Sequence, residues 1–136
     1  MPKTQVIYAT MTGHSRKYAQ AIAKARNVVP EDVKTDPRAV NVDTLFVVGG
    51  IYGGAESKKL VSYLQGDHVK NVKKAVLVTS STRGAARQAK AREVLEAKGV
   101  SVVDEKLLPG SFLFLNRGRP NEADLKAAAD YARKIK

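Results

Sequence analysis

Gln5-Val6-Ile7-Tyr8-Ala9 is followed by Thr10-Met11-Thr12-Gly13-His14-Ser15, and between the two the chain changes its period. The first five residues are β-formers and read as a short strand. From residue 14 to 25 the spacing becomes helical, with Tyr18, Ala21, Ile22 and Ala25 falling at i, i+3, i+4 and i+7. The hexapeptide therefore carries a strand directly into a helix N-terminus. Unpaired backbone N–H groups and the helix dipole favour an anion there. Thr10, Thr12 and Ser15 add hydroxyl donors, and Gly13 lets the backbone close on a ligand. The loop holds no lysine or arginine, so binding would rest on neutral donors. Helix capping by the same Thr and Ser residues is the competing reading, and spacing leaves both open.

Working outward, strand and helix patterns alternate. Residues 32–35 read as a weak second strand with Val33 its one large apolar residue, and residues 36–42 as a degenerate turn too short for a crossover helix. Leu45-Phe46-Val47-Val48 and Ala75-Val76-Leu77-Val78 are apolar on both faces, as central parallel strands are. Residues 57–65 and 86–98 read as helices, the second stopping at Gly99. Residues 100–103 give a fifth strand, with Phe112-Leu113-Phe114-Leu115 its continuation or an edge piece. Asn121 caps a last helix whose stripe is Leu125, Ala128, Ala129, Ala132 and Ile135. Lys70, Lys73 and Lys74 are expected in a solvated turn, and His14 and His68 at the surface. Short links between parallel strands require right-handed crossovers, so the expected fold is a three-layer α/β/α sandwich on a parallel sheet.

The chain has 136 residues, expected to form a single domain spanning 1–136. It contains no cysteine, which excludes disulfides, thiolate metal sites and a thiol nucleophile. No run reaches the roughly 18 apolar residues of a membrane helix, so a cytoplasmic location is expected. The 24 Lys and Arg outnumber the 13 Asp and Glu, a net charge of +11. That balance suits acidic proteins, phosphorylated ligands or nucleic acid. Aromatics make up 6% of the chain and form no basic–aromatic stacking platform, which weighs against nucleic acid.

In an open parallel sheet, ligands bind beyond the carboxyl ends of the strands, where strand order reverses. Three Gly/Ser/Thr-rich loops are expected there: residues 10–15, 51–56 and 79–87. The motif T-x-T-G-x-S after a first strand resembles the phosphate loop of the flavodoxin family. Gly49-Gly50-Ile51-Tyr52-Gly53-Gly54 resembles the loop packing one face of the flavin, and Ser80-Ser81-Thr82-Arg83-Gly84 stands where the family covers the other. The resemblance runs through nearly the whole chain, with the late segment from Gly110 to Pro120 also similar. It implies a sheet of order 2-1-3-4-5, bound FMN and electron transfer between redox partners. It further implies that Thr10, Met11, Thr12, Gly13, His14 and Ser15 hold the FMN phosphate. Tyr52 would stack on the ring, flanked by Gly50, Ile51, Gly53 and Gly54, with Ser80, Ser81, Thr82, Arg83 and Gly84 on the opposite side.

The chain departs from the family pattern in having no Trp, no aromatic in the third loop, a short link between strands 2 and 3, and a basic rather than acidic balance. Arg83 beside the ring would favour the anionic reduced flavin. Arg117 and Arg119 line the same rim or are exposed loop residues. Three functions follow: an FMN electron carrier with acidic redox partners, an FMN-dependent NAD(P)H oxidoreductase, or a cofactor-free module on the same fold. No metal site or catalytic triad is expected.

Overall fold

The computed structural model describes residues 3–9, 14–51, 56–81, 87–109 and 120–135. Its strands are β1 (Thr4–Tyr8), β2 (Pro30–Asp32), β3 (Ala39–Ile51), β4 (Val69–Ser81) and β5 (Ser101–Pro109). Its helices are α1 (His14–Arg26), α2 (Lys58–Gln65), α3 (Ala89–Ala97) and α4 (Glu122–Lys134). The strands form one parallel sheet of order β2-β1-β3-β4-β5, the order expected.

Period-two alternation in the central strands builds a core on each face. Ile7, Val47 and Leu77 face α2 and α3, meeting Leu60, Leu64 and Leu95. Val6, Phe46, Val48, Val76 and Val78 face α1 and α4, meeting Tyr18, Ile22, Ala128 and Ala132. Burying each large apolar side chain of these layers is worth about 1.5–3 kcal/mol. The inward stripe of α1 is Tyr18, Ala19, Ile22 and Ala23, so Ala21 and Ala25 are its shoulders rather than its centre. Asn121 caps α4 in a capping box with Asp124, and Gly99 takes φ +80° after α3, both as the sequence indicates.

Three sequence readings are corrected. The second strand lies at 30–32, and Val33–Thr35 is a 3-10 turn with Asp32 as its N-cap, because the Asp32 side chain takes the Lys34 N–H and turns the chain. The degenerate link is thus 33–38, and residues 39–42 already belong to β3. Lys70, Lys73 and Lys74 are not a turn but the first half of β4, paired to β3 through Val40↔Lys70 and Thr44↔Lys74. Asn41 and Asn71 explain why periodicity missed these stretches. Both adopt left-handed φ (57° and 54°), side by side, and the Asn71 amide donates to Asn41 Oδ1. The extra residue in each strand spaces the buried positions three apart, at Ala39 and Val42 and at Val69 and Val72, instead of two. The Phe112–Leu115 segment lies outside the described residues.

His68 is half-buried and stacks on Tyr63, with ring centroids 5.5 Å apart, rather than standing free at the surface. The Tyr63 hydroxyl donates to the Pro37 carbonyl. Burial, and then the Glu31 and Asp36 carboxylates, push Tyr63 from 10.0 up to about 12. Tyr131 is raised too, by burial and then by its hydrogen bond to Asp104. The folded form therefore holds protons that the unfolded chain releases, so stability is fully present below pH 10 and is lost as pH rises from 10 through about 12. In an alkaline titration, tyrosinate absorbance from these two rings should appear only together with loss of the circular dichroism signal. The late component should shrink in Tyr63→Phe. Ionisation of both near pH 10 in fully folded protein contradicts this.

Candidate functional site

The order β2-β1-β3 reverses direction between β1 and β3, which puts the binding crevice beyond their carboxyl ends. Tyr8 pairs with Val48, Gly49 with Thr79, and Gly50 with Ser80, so the three central strands end side by side. The Ala9 N–H donates to the Val48 carbonyl at 3.1 Å, extending the ladder to the threshold of the first loop. Thr10, Met11, Thr12 and Gly13 lie outside the described residues. His14 opens α1, and Ser15 is buried one residue later. The first turn of α1 contains no acidic residue, so nothing there opposes an anion at the dipole's positive end.

His14 is half-buried, not solvent-facing. Desolvation, and then the nearby Lys17 charge, lower its pKa below the usual imidazole value. Its ring is therefore protonated less readily than a free imidazole.

The second and third loops begin later than the sequence suggests. β3 runs through Gly50 and Ile51, with Ile51 buried, and β4 runs through Ser80 and Ser81, both buried. These four candidates are strand-end residues paired across β3 and β4. Tyr52, Gly53, Gly54, Thr82, Arg83, Gly84, Arg117 and Arg119 lie outside the described residues.

The structure adds residues that carry no sequence motif. Glu105 on β5 has its side chain 1% exposed beneath the end of β4. Its Oε2 accepts from the Thr79 hydroxyl at 2.6 Å and from the Gln88 N–H at 2.8 Å. Its Oε1 lies 3.5 Å from Arg92 and 3.9 Å from Arg87. Gln88 is itself buried, its amide donating to the Val78 carbonyl and Thr79 Oγ1, each at 3.1 Å. That amide occupies the space over Gly49, where a Cβ would stand 2.7 Å from Gln88 Oε1 and 2.8 Å from Leu60 Cδ2. Gly49 is thus required by close packing. Glu56 accepts from the N–H groups of Lys90 (2.8 Å) and Ala91 (3.2 Å), capping α3 from across the cleft. Glu56 and Gln88 therefore meet at the same helix terminus. None of this was visible locally, because the cap comes from a residue 34 positions away.

The abbreviated link between β2 and β3 leaves a trough of about 550 Å³ between the 3-10 turn and α2, lined by residues including Val33, Lys58, Lys59, Tyr63 and His68. Among the described residues no group of His, Asp or Glu is arranged to hold a metal.

A family model for the flavodoxin domain matches residues 5–112. The chain belongs to the flavodoxin family. A flavodoxin structure from Streptococcus pneumonia TIGR4 superposes with a TM-score of 0.63 at 18% identity, covering 95% of this chain and 94% of that one. Oxidised flavodoxin 2 from Bacillus cereus gives 0.62 at 18%, covering 96% and 94%. An NAD(P)H:quinone oxidoreductase from Methanothermobacter marburgensis gives 0.61 at 12%, covering both chains fully. At such identities these likenesses establish the fold. No match is found among curated protein sequences. In this flavodoxin-family chain, no helix of the described residues is long and apolar enough to cross a membrane.

Proposed function

We propose that this flavodoxin-family protein binds FMN and carries electrons between redox partner proteins. Family membership implies a flavin. The observation carrying the choice of a phosphorylated flavin is the donor chemistry at the first loop. Thr10, Thr12, Gly13 and Ser15 supply neutral donors, and α1 opens without a carboxylate, which suits a phosphate dianion. The amides of Met11 and His14 complete that set.

The flavin supplies the redox chemistry, accepting and releasing electrons one at a time. Following the family resemblance, Tyr52 would pack against one ring face, Gly50, Ile51, Gly53 and Gly54 would line the edge, and Thr82, Arg83 and Gly84 would lie on the other side. Ser80 and Ser81 end β4 beside this position. The chain's net charge of +11 attracts acidic redox partners at long range, so electron exchange should slow with added salt.

Fluorescence titration with FMN and with riboflavin tests the reading. FMN should bind much more tightly than riboflavin. Thr12→Val removes one charge-assisted hydrogen bond, worth about 1.5–3 kcal/mol, so FMN should bind roughly 10- to 100-fold more weakly with riboflavin nearly unaffected. Equal affinity for the two flavins, or an unaltered Thr12→Val, would sink the phosphate assignment. Flavin bleaching by NADPH alone would move the protein to the oxidoreductase class.

A further inference from the structure

Part of the positive charge stands at the pole opposite the candidate site. In a parallel sheet every strand starts at the same edge, and the register row Thr4–Thr44–Lys74–Ser101 marks that edge here. Residues 39–43 of β3 and 69–73 of β4 extend past it as a two-stranded ribbon, about 16 Å long at 3.3 Å per residue.

Five lysines stand along this edge: Lys3 before β1, Lys70, Lys73 and Lys74 on β4, and Lys98 before β5. They are neighbours. The Lys3 N–H and Lys73 Nζ both engage Asp43, at 2.6 and 3.1 Å. Lys98 Nζ reaches back to the carbonyls of Gly66 and Val69, close enough to Lys70 that their charges repel. Helices run antiparallel to the strands, so α1 and α4 end on the same side, with Lys24, Arg26, Arg133 and Lys134 in their last turns. The nearby carboxylates include Asp43, Asp67, Glu31, Glu96 and Asp130; Asp43 is engaged by Lys3 and Lys73, Glu31 by the Gln5 amide at 3.0 Å, and Asp130 by Lys126 and Arg133.

We infer that this lysine edge is a docking surface for the phosphate backbone of a nucleic-acid duplex, bound without regard to sequence. From β1 to β5, three strand intervals at ~4.8 Å, these lysines span about 14 Å. That length of duplex carries on the order of eight phosphate charges. No aromatic among the described residues is exposed, so base stacking has no platform and contacts stop at the backbone. Val29, 77% exposed, and Val103, 50% exposed, are isolated apolar side chains, far short of what membrane insertion requires. An acidic redox partner has to approach the opposite end, where the flavin would sit. The inference does not depend on flavin binding.

Fluorescence anisotropy with a duplex DNA of about 20 base pairs, titrated across roughly 50–300 mM salt, reads the surface directly. About four phosphate contacts give an expected log–log salt slope near −3.5. Lys70→Glu/Lys73→Glu alters two exposed side chains and should weaken binding about 100-fold, with the slope shallower by about two. Lys58→Glu/Lys59→Glu makes the same charge change at the site end of α2 and should shift affinity less than about threefold. Circular dichroism checks that both variants fold. Absence of duplex binding at the lowest salt, equal losses in the two variants, or tighter binding to anionic lipid vesicles or polyglutamate overturns the inference. FMN affinity, unchanged in Lys70→Glu/Lys73→Glu, keeps this test separate from the flavin titration.

Discussion

Glu105→Ala should destabilise the protein by about 3–4 kcal/mol, a drop in Tm on the order of 10–15 °C. The carboxylate is almost wholly out of solvent and accepts from two groups with nowhere else to turn, the Thr79 hydroxyl and the Gln88 N–H. Truncation strands both. Arg87 and Arg92 are 66% and 34% exposed and regain water, which keeps the loss below that of a fully buried ion pair. Glu105→Gln preserves shape and one acceptor, so about 1–2 kcal/mol is expected. Arg87 and Gln88 form the stem by which loop 82–86 returns to α3, so flavin affinity should fall with stability and recover partly in Glu105→Gln. A thermal melt within a degree or two of wild type for the alanine variant contradicts this account.

Arg26→Ala should cost about 2–3 kcal/mol through a different mechanism. Its guanidinium donates to the carbonyls of Ala132 (3.1 Å) and Ile135 (2.5 Å), the unsatisfied C-terminal end of α4, and to Thr4 Oγ1 at 3.1 Å. It also lies 5.5 Å over the Phe46 ring. One side chain thus joins α1, α4, β1 and β3 and complements the negative end of the α4 dipole. Arg26→Lys keeps the charge but not the fork, so it should recover less than half of the loss. Urea denaturation reads the difference. Equal midpoints for Arg26→Lys and wild type would show that charge alone suffices.

Much of the architecture is legible along the chain because the signals are local. Leu45–Val48 and Ala75–Val78 are apolar on both faces, which fits strands buried between two helical layers. Asn121 and Gly99 mark helix ends through their own backbone and side-chain chemistry. The T-x-T-G-x-S motif carries the family likeness because its donors are contiguous. The paired left-handed asparagines defeat the same approach. Asn41 and Asn71 break the period of two, and three strand lysines then resemble a solvated turn.

By itself, the sequence determined the α/β class and the strand order implied by its family motif, since both depend on residues close together in the chain. Only the tertiary structure decided that Glu105, Gln88 and Glu56 come together beside the ends of β3 and β4, and that Lys3, Lys70, Lys73, Lys74 and Lys98 share one edge of the sheet. Both outcomes arise from register between strands and helices tens of residues apart, and side-chain spacing along one segment carries no record of which distant segment will lie beside it.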